Sequence, residues 1–318
     1  MTPWILTSVG LVILLLAGDA LVRGAVNLSL RVGIPALIVS LTIVAFGTSA
    51  PELLVGISAV LDGKPGLALG NVVGSNTANV LLVLGLPAII SRMRTSQIDT
   101  KRSYYMMLMA TVAFIALSFT GTLTWMIGLV LLLGLALVLG DQAREARVHM
   151  ADQRAAEASE GVEVEGADPD MRWWKIILFL AIGLIGLPLG ADLLVENASI
   201  IARDFGVSDA VVGLTLVALG TSLPELATTV VAAMRRQADV ALGNVIGSNL
   251  FNLLGIIGIT TLFGPIPVTQ EFLSFDLWVM LGAALILVPF VVFGRDLGRR
   301  WGVVFSLLYI AYVIALLI

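Results

Sequence analysis

Gly47-Thr48-Ser49-Ala50-Pro51-Glu52 recurs as Gly220-Thr221-Ser222-Leu223-Pro224-Glu225, and the two copies stay in step without a gap from Asp19/Asp192 to Gly85/Gly258. A constant offset of 173 residues pairs Glu52 with Glu225. Each copy then reaches a second shared string: Gly70-Asn71-Val72-Val73-Gly74-Ser75-Asn76 with Asn79, and Gly243-Asn244-Val245-Ile246-Gly247-Ser248-Asn249 with Asn252. Self-similarity at one fixed offset over so long a stretch decides architecture ahead of any local motif.

The surroundings of these strings are apolar. The 318 residues are 58% hydrophobic and 13% charged, with a mean hydropathy of +1.03. A soluble domain of that composition would have too little polar surface to face water. A bilayer core needs roughly 20 apolar residues per helical span. Ten candidates meet that need, at about 3–23, 34–60, 66–90, 103–119, 122–140, 172–198, 208–233, 239–263, 273–293 and 301–318. Alternating ten-residue segments, the mark of a membrane barrel, are absent. The expected fold is therefore an all-α polytopic membrane protein of ten transmembrane helices. Two five-helix repeats, at 1–140 and 172–318, flank an acidic linker at 141–171. An odd number of spans per repeat makes the second copy enter from the opposite side, so the repeats are inverted. No basic residue precedes the first span, and its repeat mate lies mid-chain, so it reads as a retained helix and not a cleaved signal peptide. There is no cysteine, hence no disulfide or thiolate metal site.

Basic residues orient the spans. Of the 18 Lys and Arg residues, all but Lys64 and Arg203 fall on one side of this topology. The positive-inside rule makes that side cytoplasmic, places both termini outside, and points to the plasma (inner) membrane. The linker carries Asp141, Glu145, Asp152, Glu157, Glu160, Glu163, Glu165, Asp168 and Asp170. It reads as a solvated extension of the fifth helix followed by a disordered loop. Calcium sensing by these acids is a weaker reading, and the segment is too short for a domain of its own.

Glu52 and Glu225 lie among Val, Leu, Ile and Ala. A carboxylate there costs several kcal/mol unless compensated, so intramembrane acids mark ion or proton paths. Two at symmetric positions imply one shared site, whose empty form holds protons or binds cations. Ser49, Thr48, Ser222 and Thr221 add hydroxyls. Pro51 and Pro224 disturb the helix and are expected to free carbonyls one turn earlier, such as Ala45 and Ala218. Ser75 and Asn79 share one helix face, as do Ser248 and Asn252. Such an all-oxygen set suits calcium or sodium better than zinc or copper. The structural counter-reading is a capping box, Ser49-x-x-Glu52 and Ser222-x-x-Glu225, with Gly-x-x-x-Gly spacings for close helix packing. Recurrence in register favours an ion site, with both roles compatible. Asp19 and Arg23, four apart, read as an interfacial helix pair outside the site. The single histidine, His149, lies in the linker, so no histidine relay crosses the membrane.

With both doubled strings in view, the chain resembles the prokaryotic sodium/calcium exchanger family, within the calcium:cation antiporters, over nearly its whole length. The resemblance implies a core of the second, third, seventh and eighth spans around the ions, past which the long first and sixth spans slide. It also implies that Glu52 and Glu225 are ligands shared by calcium and sodium. Ser49, Ser75 and Ala45 would form a sodium site toward one side, and Ser222, Ser248 and Ala218 its symmetric partner. The Thr48 and Thr221 carbonyls would help hold calcium, with Asn79 and Asn252 bordering the centre. Asparagine at 252, where potassium-dependent members have aspartate, argues against potassium dependence. The implied function is sodium-driven calcium extrusion by alternating access, electrogenic if a third sodium binds. Calcium, sodium and the lipid bilayer are then the only partners, with no cofactor, nucleic acid or obligate protein partner, and no enzyme activity. Proton-coupled calcium exchange is the rival reading. A lipid-phosphate enzyme would need clustered aspartates beside basic residues, and a sensor or scaffold would not need two intact ion shells.

Overall fold

The computed structural model describes residues 2–156, 168, 171–205 and 220–317. Among the described residues, eleven helical segments carry the fold: α1 (Thr2–Val32), α2 (Ala36–Thr48), α3 (Ala50–Leu61), α4 (Pro65–Ile90), α5 (Lys101–Ser118), α6 (Trp125–Ala156), α7 (Trp173–Asp204), α8 (Leu223–Met234), α9 (Ala238–Thr260), α10 (Phe272–Val291) and α11 (Arg299–Leu317). Among the described residues, α1, α4, α6, α7, α9, α10 and α11 are each long and apolar enough to cross a bilayer. The pair α2–α3, bent by 42°, makes an eighth such unit. The protein is therefore an all-helical membrane protein. The fourth expected span is the helix α5, whose polar start, Lys101-Arg102-Ser103-Tyr104-Tyr105, lowers its hydropathy. The seventh is represented by the apolar α8, and residues 206–219 before it lie outside the described set.

Several helices outrun the apolar stretches that signal them. The first ends at Val32 and not near 23, because Arg23 pairs with Asp19 at 2.9 Å one turn back and so stays in the helix. The helix α6 continues through Ala156 into the linker, as its composition suggested. The chain is also not wholly helical outside the spans. Thr122–Leu123 pairs antiparallel with Ile266–Pro267, and Met93 bridges Leu297. Both pairings join a loop of one half to a loop of the other.

The helix α9 is buried along its span and α4 mostly so, and together they form the centre. The helices α1 and α7 lie against each other beside this centre. Their approach depends on glycine: a Cβ on Gly10 would stand 2.7 Å from the Leu194 nitrogen, and one on Gly183 would stand 2.5 Å from the Leu21 Cβ. These two contacts exchange under the 173-residue offset. Other packing does not. The helix α1 also packs along α8, whereas α7 lacks comparable packing along α3. One end of the molecule holds a cleft of about 790 Å³ lined by Arg92, Arg94, Arg236, Asp99, Glu145 and Asp239, among others.

Candidate cation site

The site begins at two matching breaks. Ser49 leaves helical geometry at φ −87°, ψ 5°, and Ser222 does so at φ −89°, ψ 2°. A proline in the next turn, already lacking an N–H, restarts each helix. Glu52 and Glu225 then fall in the first turns of α3 and α8, where helix N-termini favour negative charge. Neither serine caps its own helix with its side chain. The Ser49 hydroxyl instead donates to Glu225 Oε1 at 3.0 Å, across to the other half of the chain. The capping-box reading therefore does not account for this hydroxyl.

Both glutamates are buried, at 1% and 0% exposure. Among the described residues, six buried oxygens of the anticipated set have no hydrogen-bond partner: Glu52 Oε2, Glu225 Oε2, Ser222 Oγ, Ser248 Oγ, Asn79 Oδ1 and Asn252 Oδ1. Buried polar atoms are nearly always paired, and four of these six, on the offset pairs Glu52/Glu225 and Asn79/Asn252, are leftover acceptors with the chemistry to receive a cation. Ser75 is buried with them. Asn79 opens a π-helical turn in α4, and Asn252 lies in the equivalent turn of α9. Such turns offset side chains from the regular helix face and cluster at functional sites.

The remaining anticipated residues divide. Thr48 Oγ1 donates to the Ala45 carbonyl and to Asn244 Oδ1, both at 3.3 Å, and Thr221 Oγ1 donates to Asn71 Oδ1 at 3.3 Å. The Ala45 carbonyl is not freed by Pro51. It accepts the Ser49 N–H at 3.0 Å and the Thr48 hydroxyl, because a proline relieves the carbonyl four residues before it, here Gly47. Ala218 lies outside the described residues. The packing role of the glycines holds for α9, where a Cβ on Gly247 would stand 2.5 Å from the Leu41 carbonyl oxygen.

Four asparagines of the second string, left out of the anticipated ligand set, hold the site together. Asn244 Nδ2 donates to the Glu225 carbonyl at 3.3 Å and to Thr229 Oγ1 at 3.1 Å, and Asn71 receives Thr221. Asn76 and Asn249 bond to each other's main chain and to the two π-turn asparagines. Recurrence of all four at the common offset was the available signal. Asp19 also gains a partner that sequence spacing could not reveal: besides Arg23, it accepts Arg235 Nε at 2.6 Å, which ties α1 to the end of α8. Among the described residues no group of three or more His, Cys, Asp or Glu side chains is placed to hold a metal. Two carboxylates with neutral oxygens are what the centre offers.

Comparison with known proteins agrees over the whole chain. The family model described as sodium/calcium exchanger protein matches residues 2–140 and 175–318. The sodium/calcium exchanger MaX1 of Methanosarcina acetivorans is 35% identical, covering 98% of each chain. The inner membrane protein YrbG of Escherichia coli is 34% identical over 88% of this chain and 86% of its own. A solved structure of the sodium-calcium exchanger NCX_Mj, soaked with sodium and strontium, superposes with a TM-score of 0.83 at 30% identity, covering 99% of this chain and 98% of the other.

Proposed function

The chain belongs to the sodium/calcium exchanger protein family, and from that membership and its own site we propose that it exports calcium from the cytoplasm in exchange for sodium. The observation that carries this reading is the set of six unpartnered buried oxygens, two from the first half and four from the second, centred on Glu52 and Glu225. Calcium and sodium are hard cations that take such oxygens.

Charge then dictates the mechanism. Two carboxylates balance one calcium or two sodium ions, so the same pair serves either load and not both in full. Competition for Glu52 and Glu225 couples the two fluxes. Ser49 and Ser75 toward one side, and Ser222 and Ser248 toward the other, provide two flanking positions for sodium beside the shared glutamates. Asn79, Asn252 and the Thr48 and Thr221 main chain border the central one. The Ala45 carbonyl would have to release the Thr48 hydroxyl to join, and Ala218 is its counterpart by offset. Sealing bare carboxylates away from water is too costly, so only the loaded form closes, and exchange proceeds without leak. A third sodium would make the cycle electrogenic.

The exchanged hydrogen bonds and loop pairings support two inverted repeats of five spans. The helices α1 and α7, packed on each other through glycine, are the elements that slide past the core. Packing of α1 on α8 without its mirror image supports closure at the Arg235 end. The gathering of Arg92, Arg94 and Arg236 around one cleft supports their lying on a single face. By the positive-inside rule that face is cytoplasmic, with both termini outside.

Radiolabelled calcium uptake into sodium-loaded proteoliposomes diluted into sodium-free buffer tests the reading. Uptake should require internal sodium and vanish in Glu52→Gln and Glu225→Gln. Equal uptake driven by a pH gradient without sodium would move the assignment to proton coupling.

A further inference from the structure

We propose that Asn76 and Asn249, which present no side-chain atom to the ions, set the polarity of the cation site by forcing Asn252 and Asn79 to turn their oxygens inward. This deepens the ion-site reading and rests on it.

The argument starts from two groups whose polarity cannot change. The main-chain carbonyls of Asn249 and Asn76 can only accept. Asn76 Nδ2 lies 3.4 Å from the Asn249 carbonyl oxygen, and Asn249 Nδ2 lies 3.3 Å from that of Asn76. Each side-chain amide must therefore point its nitrogen at the opposite helix's backbone, which leaves its Oδ1 facing the other way. Asn252 Nδ2 meets Asn76 Oδ1 at 3.1 Å, and Asn79 Nδ2 meets Asn249 Oδ1 at 3.0 Å. An acceptor in that place obliges Asn252 and Asn79 to donate. Their own oxygens are thereby turned away from the clamp, and these are two of the six unpartnered buried acceptors. Flipping either amide would set oxygen against oxygen at the clamp and aim an NH₂ group at the cations. Met280 Sδ, 3.8 Å from Asn76 Nδ2, and Met107 Sδ, 3.7 Å from Asn249 Nδ2, occupy the remaining sides of the two clamps.

The wiring is crossed. Asn76 acts on Asn252 of the opposite half, and Asn249 acts on Asn79, although Asn76 and Asn79 share a helix. The clamp also bonds α4 to α9 across the molecular centre, so the amide orientation and the spacing of the two core helices are set by the same four side chains.

A double-mutant cycle in calcium affinity tests this, read by radiolabelled calcium binding to the full-length protein in detergent. Elution as a single species and a single cooperative thermal transition serve as checks on folding. Asn76→Ala should weaken calcium binding about tenfold, close to the loss in Asn252→Ala, since a free amide no longer holds its oxygen inward. In the Asn252→Ala background, Asn76→Ala should cost nothing further. The pair Asn249 and Asn79 should behave alike, while Asn76 with Asn79 and Asn249 with Asn252 should be multiplicative. Asn76→Ser and Asn249→Ser repeat the cycle if an alanine variant does not elute as a single species. Multiplicative losses for Asn76 with Asn252, or coupling that follows the shared helix, would overturn the proposal while leaving the ion site intact. Wild-type protein that binds no calcium would overturn both.

Discussion

The hydroxyl of Ser49 donates to the carboxylate of Glu225 at 3.0 Å, whereas the hydroxyl of its repeat mate Ser222 has no partner among the described residues. One half thus lends a donor to the other's acid, and the favour is not returned. Ser49→Ala should lower the stability of the ion-free protein by about 1 kcal/mol, the scale of an interhelical hydrogen bond in a membrane. Ser222→Ala should leave ion-free stability nearly unchanged. Both should weaken sodium binding. Thermal unfolding in detergent, with and without sodium, checks the asymmetry.

Arg235 binds Asp19 from the end of α8, so the Asp19 turn of α1 is held to the core by an ion pair with both side chains partly exposed. Gln at 235 should loosen that end. The natural chain has no cysteine, and Ala227, whose carbonyl would lie 3.2 Å from a Cβ on Gly18 of α1, is a suitable place for a reporter. Thiol labelling of Ala227→Cys should accelerate about fivefold on adding Arg235→Gln, the equivalent of roughly 1 kcal/mol. High ionic strength should reproduce part of the effect without the second substitution.

At the loops, Asp296 accepts the Ser96 hydroxyl at 2.6 Å and the Ser96 N–H at 3.3 Å, and pairs with Arg92 at 2.9 Å. The Ser96 hydroxyl above all, and then the Ser96 N–H and Arg92, hold the Asp296 carboxyl below its ordinary value. A depressed acid contributes its stability above the unfolded value and loses it as pH falls through the folded one. Hydrogen exchange at Met93 and Leu297, corrected for intrinsic rate, should therefore show protection that is flat from neutral pH down to about 4 and falls below it. Ser96→Ala should move that loss to higher pH.

Gly247 lies where α9 crosses α2, with room for hydrogen only: an added Cβ would meet the Leu41 carbonyl oxygen at 2.5 Å and the Ala45 Cβ at 2.7 Å. Gly247→Ala should destabilise by about 1–3 kcal/mol, as overpacking does. It should also weaken ion binding, because Ser248 is the next residue and moves with the displaced helix. A calcium titration monitored by thermal midpoint reads both effects. An unshifted midpoint at every calcium concentration would refute them.

The doubled strings revealed Glu52, Glu225 and most of their neighbours because a repeat offset compares the chain with itself, and a buried carboxylate stands out in an apolar setting. Hydropathy showed where helices cross but not how far they run on, since Arg23, Asn27 and the start of the linker are polar yet remain helical. What stayed hidden depends on direction. Nothing in the string Gly-Asn-x-x-Gly-Ser-Asn distinguishes the asparagine that offers an oxygen from the one that orients it, because that choice is made by carbonyls 173 positions away. The tie between Asp19 and Arg235 was equally out of reach, as it spans 216 residues and has no counterpart in the other repeat.

The hydrogen bonds that Asn76 and Asn249 exchange have a consequence for biogenesis. The ribosome delivers Asn76 to the bilayer long before Asn249 exists. At roughly 5–20 residues per second, the delay is on the order of ten seconds or more. Through that interval the first half carries Glu52, Asn76 and Asn79 without the groups that complete them, in a solvent that offers almost no hydrogen bonds. The newborn half therefore depends on water, on a proton at Glu52, or on the insertion machinery until its sister arrives. The four asparagines that cross-link α4 and α9 thus tie completion of the first half to the arrival of the second.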